Sequence, residues 1–240
     1  MARVSSIVTN FRAGEISPKL EGRIDLQKYN EAAQTLNNML VYPSGGVTRR
    51  PGTFFAGRSK DGGKVRLMNF EFSDEQAYVL EMGANYIRFY KDGGLLTEAT
   101  KTITAVTKAN PAVVTANSHG FTNILFRHSF SNGDRVFIKS VAGMTELNNR
   151  EFTVASTATN TFALSGVDST GFTTYTSGGT AGKIVEVTTT YSATEVFELN
   201  YTQSADIVYL AHKSHEPAKL TRTTATSFTI ADIDFVDGPY

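Results

Sequence analysis

Short runs with apolar residues at every second position, each closed by turn chemistry, govern what most of this chain can form. Residues 64–72 alternate with Met68, Phe70 and Phe72 on one side, and Ser73-Asp74-Glu75 turns the chain back into 77–82. Gly83-Ala84-Asn85 turns it again into 86–90, and Asp92-Gly93 is a hairpin signal before Leu95-Leu96-Thr97. Runs this short, joined this tightly, predict an antiparallel meander. A second meander is expected beyond Ile184, with strands at 184–188, 195–201, 207–212, 218–222 and 227–231 and turns at Gln203-Ser204 and Glu216-Pro217. The expected fold class is therefore mainly β.

The two meanders echo one another. Leu199-Asn200-Tyr201-Thr202 followed by Asp206-Ile207-Val208-Tyr209-Leu210 parallels Phe70-Glu71-Phe72-Ser73 followed by Gln76-Ala77-Tyr78-Val79-Leu80. Between them lies a stretch of different composition, rich in Thr, Ser, Ala, Gly and Asn and sparse in charge. Removing it leaves a period of about 46 residues, within the range of four-stranded propeller blades. Two unrelated sheets with ordinary alternation account for the same echo. The domain division expected is 1–60 for an arm, helix and hairpin, 61–102 for the first meander, 103–181 for an inserted small β domain, and 182–240 for the second meander.

Ahead of the strands the period differs. Leu26, Tyr29, Ala33, Leu36 and Leu40 fall in steps of three and four, which predicts one helix docking its single apolar stripe on the β body. Asp25 is the expected N-cap, and Tyr42-Pro43 ends the helix near Val41. Residues 10–18, broken by Gly14 and Pro18, read as an irregular arm, and 10–23 hold too little periodic apolar sequence to fold alone. After Ser44-Gly45-Gly46 the chain is expected to run extended, with a kink at Pro51-Gly52.

Composition narrows the function. With 23 Lys and Arg against 23 Asp and Glu, the formal charge is zero, unlike a dedicated nucleic-acid binder that neutralises phosphates. The chain has no cysteine, so disulfides, zinc-thiolate sites and cysteine nucleophiles are excluded within it. No run approaches the apolar length of a membrane-spanning helix, and a soluble chain made in the cytoplasm is expected.

Few residues suggest chemistry. His212-Lys213-Ser214-His215-Glu216 offers metal-ligating types, weighed against a solvated turn before Pro217. Asp232-Ile233-Asp234-Phe235-Val236-Asp237-Gly238 resembles a calcium loop with its third Asp one place late and no acidic twelfth position. Phe72, Tyr86, Phe89 and Tyr90 offer a base-stacking platform or, at strand spacing, core. Arg49-Arg50 reads either as a solvated pair or as a clamp on carboxylates of an adjacent subunit. No catalytic residues, metal ligands or cofactors are assigned.

The ordered string Gly14-Glu15-Ile16-Ser17-Pro18, Arg23-x-Asp25, Tyr29, Asn37-Asn38, Gly45-Gly46 and Arg49-Arg50-Pro51-Gly52-Thr53 resembles the N-terminus of the tail nozzle proteins of short-tailed bacteriophages. These are also called tail tubular protein B or stabilisation proteins. The resemblance implies a virion structural protein, assembled in the host cytoplasm into a ring of its own copies, a hexamer. That ring would sit below a portal-side adaptor and pass double-stranded DNA, with host surface or tail fibres as further partners. Phe11, Arg12, Glu15, Ile16, Ser17, Pro18, Arg23, Arg49 and Arg50 become the expected subunit or adaptor interface. Members of that family are much longer, so either a truncated or short nozzle or the ordered part of a longer product is expected.

The insert, with Asn110-Pro111, His119-Gly120-Phe121, Asn132-Gly133-Asp134, Gly143-Met144-Thr145 and Asp168-Ser169-Thr170-Gly171-Phe172, is similar to a small β-barrel-like module of phage tail proteins. That module is distantly likened to a β domain of ubiquitin-activating enzymes, in fold only. Here residues 123–131 interrupt its pattern with Ile124, Leu125, Phe126 and Phe130. A receptor- or glycan-binding tail module is the alternative function, and a polysaccharide depolymerase a third.

Overall fold

The computed structural model describes residues 8–73, 76–117 and 128–235. The protein is mainly β, with 47% of its residues in strands and no α-helix among the described residues. It divides into two compact units between Phe55 and Ala56.

In the first unit β1 (Gly14–Glu15) runs parallel to β2 (Ala32–Ala33), and β3 (Met39–Val41) forms a hairpin with β4 (Val47–Arg49). The expected N-terminal helix is not there. Gln27–Glu31 makes only a 3-10 turn, and the chain is extended from Ala32. Three causes act together. Asp25, the expected cap, is held at 2.8 and 2.6 Å by the Arg23 guanidinium. The arm competes for the backbone: Ala13 and Ile16 amides donate to the Glu31 and Ala33 carbonyls at 3.1 Å each. Asn30, Thr35, Asn37 and Asn38 are weak helix formers, and Asn38 adopts φ 55° in the left-handed region. Leu26 and Leu40 are consequently exposed, while Tyr29, Ala33 and Leu36 are half-buried, so no helical stripe docks on anything.

The second unit follows the alternation. β5 (Arg66–Ser73), β6 (Gln76–Gly83) and β7 (Tyr86–Lys91) form the meander, and β8 (Gly94–Leu95) folds back on the end of β7. The chain then makes β9 (Lys101–Val106), β10 (Val113–Asn117), β11 (Arg135–Ala142), β12 (Arg150–Ala155), β13 (Thr161–Leu164) and β14 (Ser177–Lys183). These close into a barrel in the order β10-β13-β12-β11-β14-β9. β15 (Glu186–Thr188) returns to pair with β7, giving the sheet order β15-β7-β6-β5. A second sheet follows in chain order: β16 (Asn200–Ser204), β17 (Ile207–His212), β18 (His215–Thr224) and β19 (Ser227–Asp232).

Alternation fills the barrel. Val114, Ala116, Val136, Ile138, Phe152, Val154, Phe162 and Leu164 face inward. The phase slips in β11, where Ser140 at φ 61° turns Val141 rather than Ser140 to the core. Gly143, at φ 84°, closes the strand where a Cβ would strike the Thr174 carbonyl. Both ends of the barrel meet: the Glu98 amide donates to the Lys183 carbonyl at 2.7 Å, and the Val185 amide to Leu96 at 3.0 Å. The barrel thus interrupts the first sheet between β8 and β15 at a single point.

The two open sheets share one core, in which Met68, Phe70, Leu80, Phe89, Val208, Leu220 and Phe228 pack together. Phe89 and Phe228 stack with ring centroids 3.7 Å apart. Three local expectations fail. Phe72 is exposed instead of joining Met68 and Phe70, because the pairing with β6 shifts between Glu71 and Ser73. The strand expected over 195–201 begins as a 3-10 turn at Glu195–Phe197. Glu216-Pro217 lies inside β18, where pairing with β17 skips past Pro217, so its missing N–H leaves no gap in the ladder. The hairpin turn is Lys213-Ser214. Most of the 123–131 interruption, with Ile124, Leu125 and Phe126, lies outside the described residues, as does His119-Gly120-Phe121. Phe130 is buried against His128 and Phe162.

Candidate functional site

Three places gather polar chemistry or unpartnered surface. The first is the N-terminal unit, which holds every residue expected at an interface. The Phe11 amide donates to Gly45 at 2.9 Å, and Ser17 caps a 3-10 turn at Pro18–Leu20 by accepting from the Lys19 amide. The Glu15 carboxylate is occupied internally, accepting the Leu36 amide at 2.7 Å, and Arg23 is bound to Asp25. That hydrogen bond from Arg23 lowers the Asp25 carboxyl. Arg12, Pro18, Arg49 and Arg50 are exposed, and Ile16 is half-buried. Arg49 sits opposite Met39 in the hairpin, and the Arg50 amide donates to Asn38. Neither guanidinium has an acidic partner among the described residues. Met39, Leu40, Tyr42, Ile24, Phe54 and Phe55 are all exposed.

The second place is a charge network where the barrel joins the first sheet. Arg88 on β7 is fully buried; its Nε donates to Glu186 on β15 at 2.7 Å, and its Nη1 to Glu151 on β12 at 2.7 Å. Lys60 holds Glu186 at 2.5 Å, and Arg135 pairs with both Glu151 and Asp61. Burial alone would raise the Glu186 carboxyl, but hydrogen bonds from Lys60 and Arg88 outweigh it and hold it low. Beside it, buried Glu81 accepts from Tyr86 at 2.7 Å, Tyr90 at 2.8 Å and the Lys60 amide at 3.1 Å. Burial first, then the Glu81 carboxylate, raises both phenols. Lys60, Asp61, Arg88, Arg135, Glu151 and Glu186 form ion pairs among themselves and Glu81 is held by the two phenols and the Lys60 amide, so the network ties the barrel to the first sheet. Tyr86 and Phe89 are core, which removes them from any stacking platform.

The third place joins Glu195, His212 and His215, whose candidate ligand atoms all lie within 4.8 Å of one another. The histidines come from the ends of β17 and β18, and Glu195 opens the 3-10 turn before β16. Glu195 Oε2 lies 3.2 Å from His215 Nε2 and accepts the Ser192 amide at 2.8 Å. The Ser192 amide, then the Ser192 hydroxyl and His215, lower the Glu195 carboxyl to about 2. Sequence reading found the His212–His215 spacing but not Glu195, which is brought in only by packing of the turn on the hairpin. Asp232 ends β19 and Phe235 is exposed, while Val236-Asp237-Gly238 lies outside the described residues.

Residues 109–184 match the family described as the ubiquitin-activating enzyme E1 FCCH domain. The match spans the barrel from β10 to β14 and omits β9. A comparison with curated proteins returned no match.

Proposed function

We propose that this chain is a structural subunit of the tail nozzle of a short-tailed bacteriophage, assembled through its N-terminal unit rather than through any catalytic group. One observation carries the reading. Among the described residues of that unit only Gly45 is buried, while Ile24, Phe54 and Phe55 are 77%, 83% and 72% exposed. A segment held by backbone bonds, without an apolar core of its own, gains its order and its burial from a partner. Arg49 and Arg50 supply planar donors suited to a neighbour's carboxylates. The ordered residue string from Gly14 to Thr53 supports the choice of family.

On this reading the partners are further copies in a ring, a hexamer, and an adaptor on the portal side, in the virion. A formally neutral chain suits the passage of duplex DNA, since dense phosphate contacts would hold it back. The two open sheets, β15-β7-β6-β5 with the short β8 beside β7 and β16-β17-β18-β19, share one core and are read as successive blades of a propeller-like body. The barrel is then a loop insertion in the first blade, and with no cysteine it carries no thioester chemistry.

The test compares the full chain with a variant lacking residues 1–18 and with R49E/R50E by native mass spectrometry and negative-stain imaging. Rings for the full chain, lost in both variants with melting unchanged, are expected. A variant without its arm that still forms the same rings refutes the interface. Trimers with a sugar-binding groove would move the chain to the receptor-binding class.

A further inference from the structure

We infer that Glu195, His212 and His215 form a binding site for one divalent transition-metal ion, with zinc the best match. Two imidazoles and a carboxylate are the borderline donor set that zinc takes, and three protein donors leave a fourth position open. In tetrahedral zinc with bonds near 2.1 Å, donors sit roughly 3.4 Å apart. His215 Nε2 and Glu195 Oε2 already stand at 3.2 Å, and the whole set lies within 4.8 Å. Closing on an ion therefore takes side-chain adjustment of about one ångström.

A second, independent feature points to a ligand. The His212 side chain is 1% exposed, and its Nε2 is buried with no hydrogen-bond partner; Glu198 Oε2 is the nearest carboxylate, at 3.6 Å. The His215 Nε2 is likewise buried without an aligned partner. Unsatisfied buried nitrogens are uncommon, because burial without a bond is unfavourable. Each faces its own carboxylate, Glu198 at 3.6 Å for His212 and Glu195 at 3.2 Å for His215, and an ion held between Glu195 and the two rings would satisfy both nitrogens.

The surrounding groups fit. Thr190 Oγ1 lies 3.4 Å from His215 Nδ1 and can accept its proton, which leaves Nε2 as the free donor to a metal. Ser192 fixes Glu195 through its amide. Glu198, held by Lys213 at 2.7 Å, stands ready to fill the fourth position in place of water. One contact must yield: the Ser214 amide donates to His212 Nδ1 at 3.2 Å, so loading Nε2 requires that turn to release a single long hydrogen bond. The bound ion would tie the turn before β16 to the β17–β18 hairpin.

The experiment uses tag-free full chain stripped with chelator. Zinc is titrated by calorimetry, melting is followed with and without zinc or magnesium, and cobalt is added for its visible tetrahedral bands. Expected are one zinc per chain, a melting rise of several degrees with zinc but not magnesium, and intense cobalt absorption. Because His212 is buried, H215N and E195Q are the variants of choice, each folded without metal and each weakening zinc at least tenfold. No zinc binding by the intact chain overturns the assignment. So does equal zinc affinity in the intact chain and both variants, which would place the ion elsewhere on the surface.

Discussion

Replacing Arg88 by methionine removes the only side chain that, among the described residues, bonds β7, β12 and β15 at once. Arg88 is fully buried, and Glu151 and Glu186 keep just 18% and 22% of their side-chain surface. Stripping one partner from a buried pair costs about 3–5 kcal/mol, because the remaining charge is left uncompensated. Here both carboxylates retain a cation, Arg135 for Glu151 and Lys60 for Glu186. The lower end applies, about 3 kcal/mol. For a unit of this size that is a fall in melting temperature of roughly 6–12 °C. The pH dependence has a definite sign. Glu186 is held below its ordinary value of 4.5, so its share of stability is present above that pH and is lost as pH falls through the depressed folded value. Wild type should therefore lose stability below about pH 4.5 and R88M somewhat less, since Lys60 still holds Glu186 in the variant, the gap between them narrowing. Scanning calorimetry of wild type, R88M, E151Q and the double variant reads both effects. Additive losses, or a fall under 2 °C for R88M, would refute the claim that Arg88 locks the barrel to the sheet.

Phe228→Ala removes a ring stacked on Phe89 at the centre of the shared core and should cost about 3–5 kcal/mol by chemical denaturation. Gly143→Val should lose the soluble barrel, since a Cβ at φ 84° meets the Thr174 carbonyl; soluble yield and circular dichroism check it. Excising 99–183 with a short Gly/Ser linker should leave the two open sheets folded, because Leu96 and Val185 already bond at 3.0 Å; a wholly aggregated product would contradict this. Leu36→Asp, which would ruin a docked helix, should cost under about 1 kcal/mol at its half-buried site.

The strands were legible because period-two alternation is a direct record of one buried face. Ile207–His212 and Ser227–Asp232 fall where the alternation predicts them. The barrel's closure was not readable from any run, since it depends on β9 meeting β10 and β14 across the insert. Bulges escaped for a local reason: at Glu71–Ser73 one extra residue flips Phe72 outward, where the Arg222 guanidinium covers its ring at 4.3 Å. The Glu195–His212–His215 group was half visible. Two histidines flanking a two-residue turn are a pattern, but the carboxylate that completes them is set by tertiary packing alone.

The missing helix carries the deeper lesson about the N-terminal unit. Steps of three and four among Leu26, Tyr29, Ala33, Leu36 and Leu40 are necessary for a docked helix but say nothing about competitors for the backbone. The arm supplies such competitors, bonding Glu31, Ala33 and Gly45 carbonyls through Ala13, Ile16 and Phe11 amides. Periodicity counts side chains, whereas this unit is held by main-chain bonds and by two local carboxylate contacts, Arg23 to Asp25 and Leu36 to Glu15. Bonds as exposed to water as these contribute little each. A lattice of that strength orders a backbone without committing its apolar side chains. Those side chains, Ile24, Tyr42, Phe54 and Phe55 among them, are left to whatever surface the unit meets.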